Sequence, residues 1–399
     1  MVKRGLILIL GFACIYGLRS LSAQTRIHIP EPYGDSFIES ELISEISFIA
    51  LQVERYGIIM PDMEMRVDDD EFFILDNKSA QCVYRFDNQG NLTNTICEKK
   101  IATKSKNEPE LKNPVEFNID IYNKRVELYN FENSTISRFD YNGTEIDQIS
   151  FTSNPSDFIR SKTGDYWIYT GWNNTETQYR LLKANSKGSI TGRRLRLISR
   201  CAATEGFAFY ARQNSILFWE LLGSTVYNIL DKDILPSYSF DFGIYKLPLD
   251  YHYLDGKESF EMLNQKGYYS MKKYLENDNF AYFFLNFNNN NQREMFHIIY
   301  DKNSKQTHIY TENAGLGAFD KAQAITENDE LVFLVLPRKI RQLMSNDNDY
   351  MPMVFSGIMD EMKTLRNPVV LKIKLSSSSD QQFEKENENE ELEQYYFEE

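Results

Sequence analysis

Short apolar runs bounded by polar turn residues recur along most of the chain, and one strand-turn-strand unit repeats with the same layout. Tyr84-Arg85-Phe86-Asp87-Asn88-Gln89-Gly90 matches Ser137-Arg138-Phe139-Asp140-Tyr141-Asn142-Gly143. Leu182-Lys183-Ala184-Asn185-Ser186-Lys187-Gly188 follows it with Asn in place of Asp. The mechanism is local: Asp or Asn starts the turn by bonding its own backbone, and Gly takes the positive φ that closes the hairpin. The structural turn residues are therefore Asp87, Gly90, Asp140, Gly143 and Gly188. The glycines lie 53 and 45 residues apart, close to the roughly 40 to 50 residues that a four-stranded propeller blade consumes.

Each hairpin follows a hydrophobic strand that leaves a polar turn: Asp70 to Asp76, Asn123 to Tyr129 and Gly164 to Tyr169. Upstream of these, Met63 to Val67, Phe117 to Ile121 and Asp157 to Arg160 are expected as innermost strands of blades one to three. Blade four is expected from Ser215 to Trp219 and Thr225 to Ile229, ending in Tyr238 to Gly243. Blade five uses Phe280 to Leu285, Met295 to Asp301 and Thr307 to Tyr310, and blade six Glu330 to Val335 and Val369 to Leu375. Ile46 to Leu51 has no repeat of its own; pairing it with the last blade closes the ring and removes an open edge. The prediction is an all-β, six-bladed β-propeller with four-stranded antiparallel blades and terminal-strand closure. Two interruptions stand out: Leu247 to Lys273, with a helix or long connection around Lys257 to Asn264, and a Met-rich insertion from Arg338 to Leu365.

These residues resemble the exported bacterial six-bladed TolB-like propellers, relatives of the NHL-repeat propellers. The resemblance is carried by Asp69 to Asp76 with Phe86-Asp87 and Gly90, by Thr225-Val226-Tyr227 through Phe240-Asp241-Phe242-Gly243 and Leu247-Pro248, and by Asn367-Pro368-Val369-Val370. It spans nearly the whole mature chain. Its motifs are structural, so it implies a fold and an exported location and leaves function open.

Composition adds to this picture. The 27 Phe and 25 Tyr suit half-buried pleated surfaces. The net charge is −14, of which nine acidic residues and one Lys lie in Asp380 to Glu399, so a nucleic-acid partner is excluded on charge. Residues 1–23 carry Lys3 and Arg4, an apolar run and small residues ahead of Gln24, as a signal peptide does. The propeller is then 24–375, with an acidic, disordered tail at 376–399. The protein is expected to be exported to the periplasm or cell surface, and to meet the membrane only if lipidated at Cys14, where Gly11-Phe12-Ala13 departs from the usual Leu-x-small pattern. Cleavage leaves Cys82, Cys97 and Cys201. Cys82 and Cys97 flank the Gly90 turn, but a left-handed Gly90 is expected to shift the register and part them. Buried thiols are thus expected, with a disulfide as the alternative.

Candidate chemistry is sparse. His28, His252, His297 and His308 have no zinc spacing, and Asp68-Asp69-Asp70 lacks the alternating ligands of a calcium loop. No nucleophile elbow or phosphate loop occurs, so the reading assigns no catalytic residue, metal or cofactor. Trp172 and Asn173 have the side chains that stack on and bond to sugars. Arg193 and Arg194 form a basic spot on an acidic chain, for an anionic ligand or as guards of an outer edge. The expectation is a non-enzymatic propeller of the cell envelope that binds an unknown protein or carbohydrate. The alternative is a metal-dependent lactonase- or lyase-like enzyme with its site at the mouth of the central channel.

Overall fold

In the computed structural model the chain forms six sheets that follow one another around a single axis. The structure describes residues 24–376 except 53–62, 77–81, 98–113, 131–133, 172–177, 198–207, 312–319, 340–364 and shorter gaps. Residues 1–23, read above as a signal peptide, Cys201, most of the Met-rich stretch and the residues beyond Ser376 lie outside the described residues.

From the axis outward, blade one is Glu64–Asp68, Glu71–Asp76, Cys82–Phe86 and Leu92–Cys97. Blade two is Pro114–Asp120, Arg125–Asn130, Thr135–Asp140 and Glu145–Ser150, and blade three Asp157–Arg160, Tyr166–Tyr169, Tyr179–Ala184 and Ile190–Arg196. Blade four is Phe209–Arg212, Ser215–Trp219, Thr225–Ile229 and Ile234–Asp241, and blade five Tyr268–Glu276, Phe280–Asn289, Gln292–Asp301 and Gln306–Thr311. Blade six is Ala324–Ile325, Glu330–Val335 and Val369–Leu375, completed by Ile43–Ala50 from the other end of the chain. The closing strand runs antiparallel in the register Val369 with Ala50, Leu371 with Phe48 and Ile373 with Ile46. Second strands such as Phe72–Leu75 and Tyr166–Tyr169 are buried throughout. They lie between neighbouring blades and touch apolar surface on both faces, so they read as continuous apolar runs.

Two features depart from the expected pattern. Thr25–His28 adds a fifth, parallel strand to blade four beside Tyr238 to Asp241, and Asp35–Ser36 does the same for blade five beside Tyr310–Thr311. The N-terminal segment therefore lies along the outer edges of three successive blades, with Ile27 and Ile29 buried against Phe240 and Phe242. The second departure is the innermost strand of blade five, Tyr268–Glu276, which begins inside the stretch read as irregular. A bulge between Met271 and Lys273 breaks the alternation there. The helix in that stretch, Gly256–Gln265, is capped by Asp255, whose Oδ1 accepts from Lys257 N at 2.9 Å and Glu258 N at 2.8 Å.

The three repeated turns are nearly superimposable in their bonding. Asp87 Oδ1 accepts from Gln89 N and Asn91 N, both at 2.9 Å; Asp140 Oδ1 from Asn142 N at 3.0 Å and Thr144 N at 2.8 Å; Asn185 Oδ1 from Lys187 N and Ser189 N, both at 3.0 Å. Gly90, Gly143 and Gly188 have φ of +81°, +80° and +85°. At two of them space matters as well. A Cβ on Gly90 would lie 2.3 Å from the Ala50 carbonyl oxygen of the closing strand, and one on Gly188 2.2 Å from that of Ser150. These turns dock end-on against the outer strand of the preceding blade, whereas at Gly143 the nearest atom is Asn94 Nδ2 at 3.3 Å.

The cysteine expectation is corrected: Cys82 and Cys97 form a disulfide, with Cα atoms 4.4 Å apart. The turn pairs Phe86 with Leu92, which in an unbroken ladder would set Cys82 opposite Ile96. A bulge one residue later pairs Arg85 with Asn94, and the added residue brings Cys97 opposite Cys82. The same bulge follows the turns of blades two and three, at Arg138/Phe139 and Lys183/Ala184.

Two stability measurements check these points. In chemical denaturation, Gly143→Ala is expected to cost about 1–2 kcal/mol, the strain of a left-handed non-glycine residue. Gly90→Ala and Gly188→Ala should cost about 3 kcal/mol or more, because the carbonyl of another blade must also move. Equal losses at all three would mean that the turns do not carry the contact between blades. Reduction of the disulfide, or the Cys82→Ser/Cys97→Ser pair, should cost about 3 kcal/mol on loop-closure grounds, and no change in denaturation midpoint would show that the bond is not formed.

Candidate functional site

Each blade is an up-and-down meander, so its first and third turns lie at one end of the sheet. Its second connection and the passage to the next blade lie at the other. The first ends are joined by short turns such as Asp69-Asp70 and Tyr122 to Lys124, while the longest connections, among them 98–113, 242–267 and 336–368, all span the second ends.

At the short-turn end, side chains cross the axis between blades that are not neighbours. The Tyr122 hydroxyl of blade two reaches the Arg212 carbonyl of blade four at 3.5 Å, and Tyr210 of blade four donates to the Ile325 carbonyl of blade six at 3.3 Å. The Arg212 guanidinium pairs with Asp278 at 2.6 Å and Glu327 at 3.2 Å. That end is stoppered.

Further along the axis, each innermost strand presents an edge of backbone groups that its own sheet cannot pair, and side chains of neighbouring blades pair several of them. Asp157 accepts from Ala208 N at 2.6 Å and Phe209 N at 3.1 Å across to blade four, and from Phe158 N at 2.7 Å. Asn118 donates to the Phe158 carbonyl at 2.8 Å, and Gln323 of blade six accepts from Met65 N at 3.4 Å. Asp157, Asn118 and Gln323 are stitches between blades.

What remains at the axis is a group of mixed charge, with Glu116 and Lys273 buried and Glu64 and Arg66 half-buried. Arg66 Nη1 lies 3.7 Å from Glu64 Oε2, and Arg66 Nη2 lies 3.4 Å from Glu116 Oε1 of blade two. Glu64 Oε2 is buried and accepts no hydrogen bond. Burial, with the Glu64 and Asp157 carboxylates, pushes Glu116 well above the usual carboxylate range against the pull of Arg66, and burial brings Asp157 up to about 6. Lys273 of blade five is pushed down to about 7 by burial and by the Arg66 and Lys321 cations. Acids from blades one to three and cations from blades one, five and six thus act on one another here. Perturbed groups gathered in this way mark candidate functional sites. Among the described residues, no three His, Cys, Asp or Glu side chains gather as a metal site.

The residues singled out in the sequence lie elsewhere. Trp172 and Asn173 are outside the described residues. Arg193 and Arg194 sit on the outer strand of blade three, where Arg194 pairs with Asp233 of blade four at 3.1 Å, well away from the axis. Asp87, Gly90, Asp140, Gly143 and Gly188 occupy the hairpin turns. Asp68 is buried and accepts from the Tyr141 hydroxyl at 2.5 Å and Lys124 Nζ at 2.9 Å, joining blades one and two, while Asp69 and Asp70 take positive φ in the turn. His297 is buried and bonded to Tyr282 at 2.9 Å. The missed signal was spacing: Glu64 with Arg66 and Glu116 with Asn118 are two apart, hence on one face of a strand. A depression of about 490 Å³ lies on the outer rim beside the N-terminal strand, lined by Arg26, His28, Tyr238, Tyr300, Lys302 and Lys305 among others.

Fold and site together define a six-bladed propeller with a charged axial cluster. The chain belongs to the family described as a domain of unknown function, DUF4934, whose model matches residues 24–374. Among solved structures, a Bacteroides fragilis protein described as exported is similar at 15% identity and TM-score 0.70, covering 88% of this chain and 100% of that one. A member of the DUF4221 family from Bacteroides vulgatus is similar at 10% identity and TM-score 0.50, over 83% of this chain and 98% of that one. A virginiamycin B lyase from Staphylococcus aureus matches at 12% identity and TM-score 0.42, over 83% of this chain and 99% of that one. No curated protein matches. Among the described residues, no helix is long and apolar enough to cross a membrane.

Arg66 pairs by distance with both Glu64 and Glu116. Arg66→Met is expected to destabilise the protein by about 3 kcal/mol or more at pH 8, because it removes the guanidinium between the Glu64 and Glu116 carboxyl groups. The loss should shrink as the pH falls and Glu116, held above its ordinary range, takes up a proton. Melting curves of both chains across pH 5–8 check this, and a loss independent of pH would contradict the pairing.

Proposed function

We propose that this is a non-enzymatic, TolB-like binding propeller of the bacterial envelope, which takes a small, charged ligand at the axis. The observation that carries this reading is the cluster of Glu64, Arg66, Glu116 and Lys273, which remains after the stitching side chains are accounted for. Burying charges costs several kcal/mol per ion, and hydrophobic replacement of such groups is often neutral or stabilising. A cluster of this kind is therefore poorly explained by stability alone. The stoppered short-turn end leaves the opposite end as the approach. An envelope location is supported by the signal-like residues 1–23 and by the disulfide, which suits an oxidising compartment. The axial cluster favours a small charged molecule over a protein partner, and an acidic saccharide keeps the carbohydrate expectation within that class.

The test is a thermal-shift screen of the mature chain against amino acids, short peptides, sugar acids and neutral sugars. A ligand at about a hundredfold excess over its Kd stabilises by about 2.7 kcal/mol. A charged compound is expected to raise the melting temperature of the wild type and not of Glu116→Gln. If every shift survives in Glu116→Gln and disappears in Lys305→Ala, the ligand sits at the rim depression and the axial reading is wrong.

A further inference from the structure

The depression on the outer rim gathers charges that play no part in the axial cluster. Alternation along the N-terminal strand leaves Arg26 and His28 exposed and turns Ile27 inward, where it is buried with Phe240. The parallel ladder sets Thr25 beside Tyr238 and Arg26 beside Ser239, so this strand brings a guanidinium to the outer edge of blade four. Blade five supplies the facing wall. Tyr300 lies near the end of its third strand and pairs with Thr307 of the fourth, and Lys302 and Lys305 belong to the turn that joins the two. Lys302 Nζ lies 5.8 Å from the centre of the Tyr238 ring, which ties one wall to the other.

The charged residues that line the depression are all basic, Arg26, His28, Lys302 and Lys305, on a chain whose net charge is −14. Two carboxylates stand against them from outside the lining. Asp241 accepts from Arg26 Nη2 at 2.7 Å and lies 3.7 Å from His28 Nδ1, while Lys302 Nζ donates to Glu276 Oε2 at 2.7 Å and to the Asn277 carbonyl at 2.6 Å. Among the described residues the Lys305 ammonium makes no ion pair or hydrogen bond, and Arg26 bonds only through Nη2. Tyr300 is 7% exposed, and its hydroxyl has no hydrogen-bond partner among the described residues. Leaving a buried hydroxyl unpaired costs free energy that a bound group would recover. The volume of about 490 Å³ falls within the roughly 300–1,000 Å³ of small-molecule pockets.

We propose that this depression is a second ligand site, which takes a small organic anion by its carboxylate, sulfate or phosphate group. Lys305 and the remaining N–H groups of Arg26 meet the charge, and the Tyr300 and Thr307 hydroxyls donate to its oxygens. Lys302 adds its field without leaving Glu276, and the half-buried Tyr238 ring offers apolar surface to the rest of the molecule. The axis sets acids beside cations, whereas the rim lining holds cations alone. The two sites therefore select different molecules, and the rim site does not rest on the axial reading.

The experiment is calorimetric titration of the mature chain with glucuronate, glucose 6-sulfate and glucose 6-phosphate, with glucose as the neutral control on the same skeleton. At least one anion is expected to bind, with glucose at least about tenfold weaker, and which anion binds identifies the group. Lys305→Ala should weaken binding at least about tenfold and leave the melting temperature of the free protein unchanged, because its ammonium has no partner to lose; Lys305→Arg should bind. Tyr300→Phe should weaken binding about threefold or more without lowering that melting temperature. Equal affinity for glucose, full affinity in both Lys305→Ala and Tyr300→Phe, or no binding of any of the three anions overturns the site. If affinity falls in Glu116→Gln and is unchanged in Lys305→Ala, the anion sits at the axis: the rim site is wrong and the axial reading stands.

Discussion

The antiparallel ladder between Ile43–Ala50 and Val369–Leu375 is the pairing on which the rest of the molecule depends. It joins regions more than 300 residues apart, and since each doubling of a loop adds only about 0.6 kcal/mol of closure entropy, burial of Ile46, Val369, Leu371 and Ile373 can offset that distance. The pairing also carries over into the next blade. Gln52, just beyond the closing strand, donates to the Gly90 carbonyl at 2.8 Å, and the Gly90 turn rests on Ala50. Closure of blade six and seating of blade one are therefore one event. The six innermost strands converge on a common axis only once the ring is shut.

That convergence creates a polar problem, and its solution separates structural from functional groups. The free edges of the innermost strands hold buried backbone groups, and Asp157, Asn118 and Gln323 pair several of them across blade boundaries. Other buried carboxylates act between blades further out. Glu127 accepts from the Tyr166 hydroxyl at 2.6 Å, and Glu220 lies 3.2 Å from Arg180; burial brings both up to about 7. A raised carboxyl is thus no sign of function by itself here. The axial group differs in its company, with acids and cations from several blades brought together at one place.

Much of the architecture could be read along the chain because it rests on local rules. An Asp or Asn that bonds its own turn, a glycine at positive φ and a continuous apolar run are each specified within a few residues. Ser215–Trp219, Thr225–Ile229, Glu330–Val335 and Val369–Leu375 have the limits that pattern suggested. The helix at Gly256–Gln265 lies one residue beyond its expected limits at each end.

What only the tertiary structure decided depends on contacts between distant segments. Thr25–His28 and Asp35–Ser36 are too short to show strand periodicity, and they become strands because blades four and five offer open edges. The disulfide turned on a bulge of one residue, and a shift of that size changes every pairing beyond it. Glu64, Arg66, Glu116, Lys273 and Lys321 are scattered over more than 250 positions and carry no motif. Their chemistry exists only because ring closure sets the strands that carry them side by side, where burial and one another's charges alter how each holds its proton.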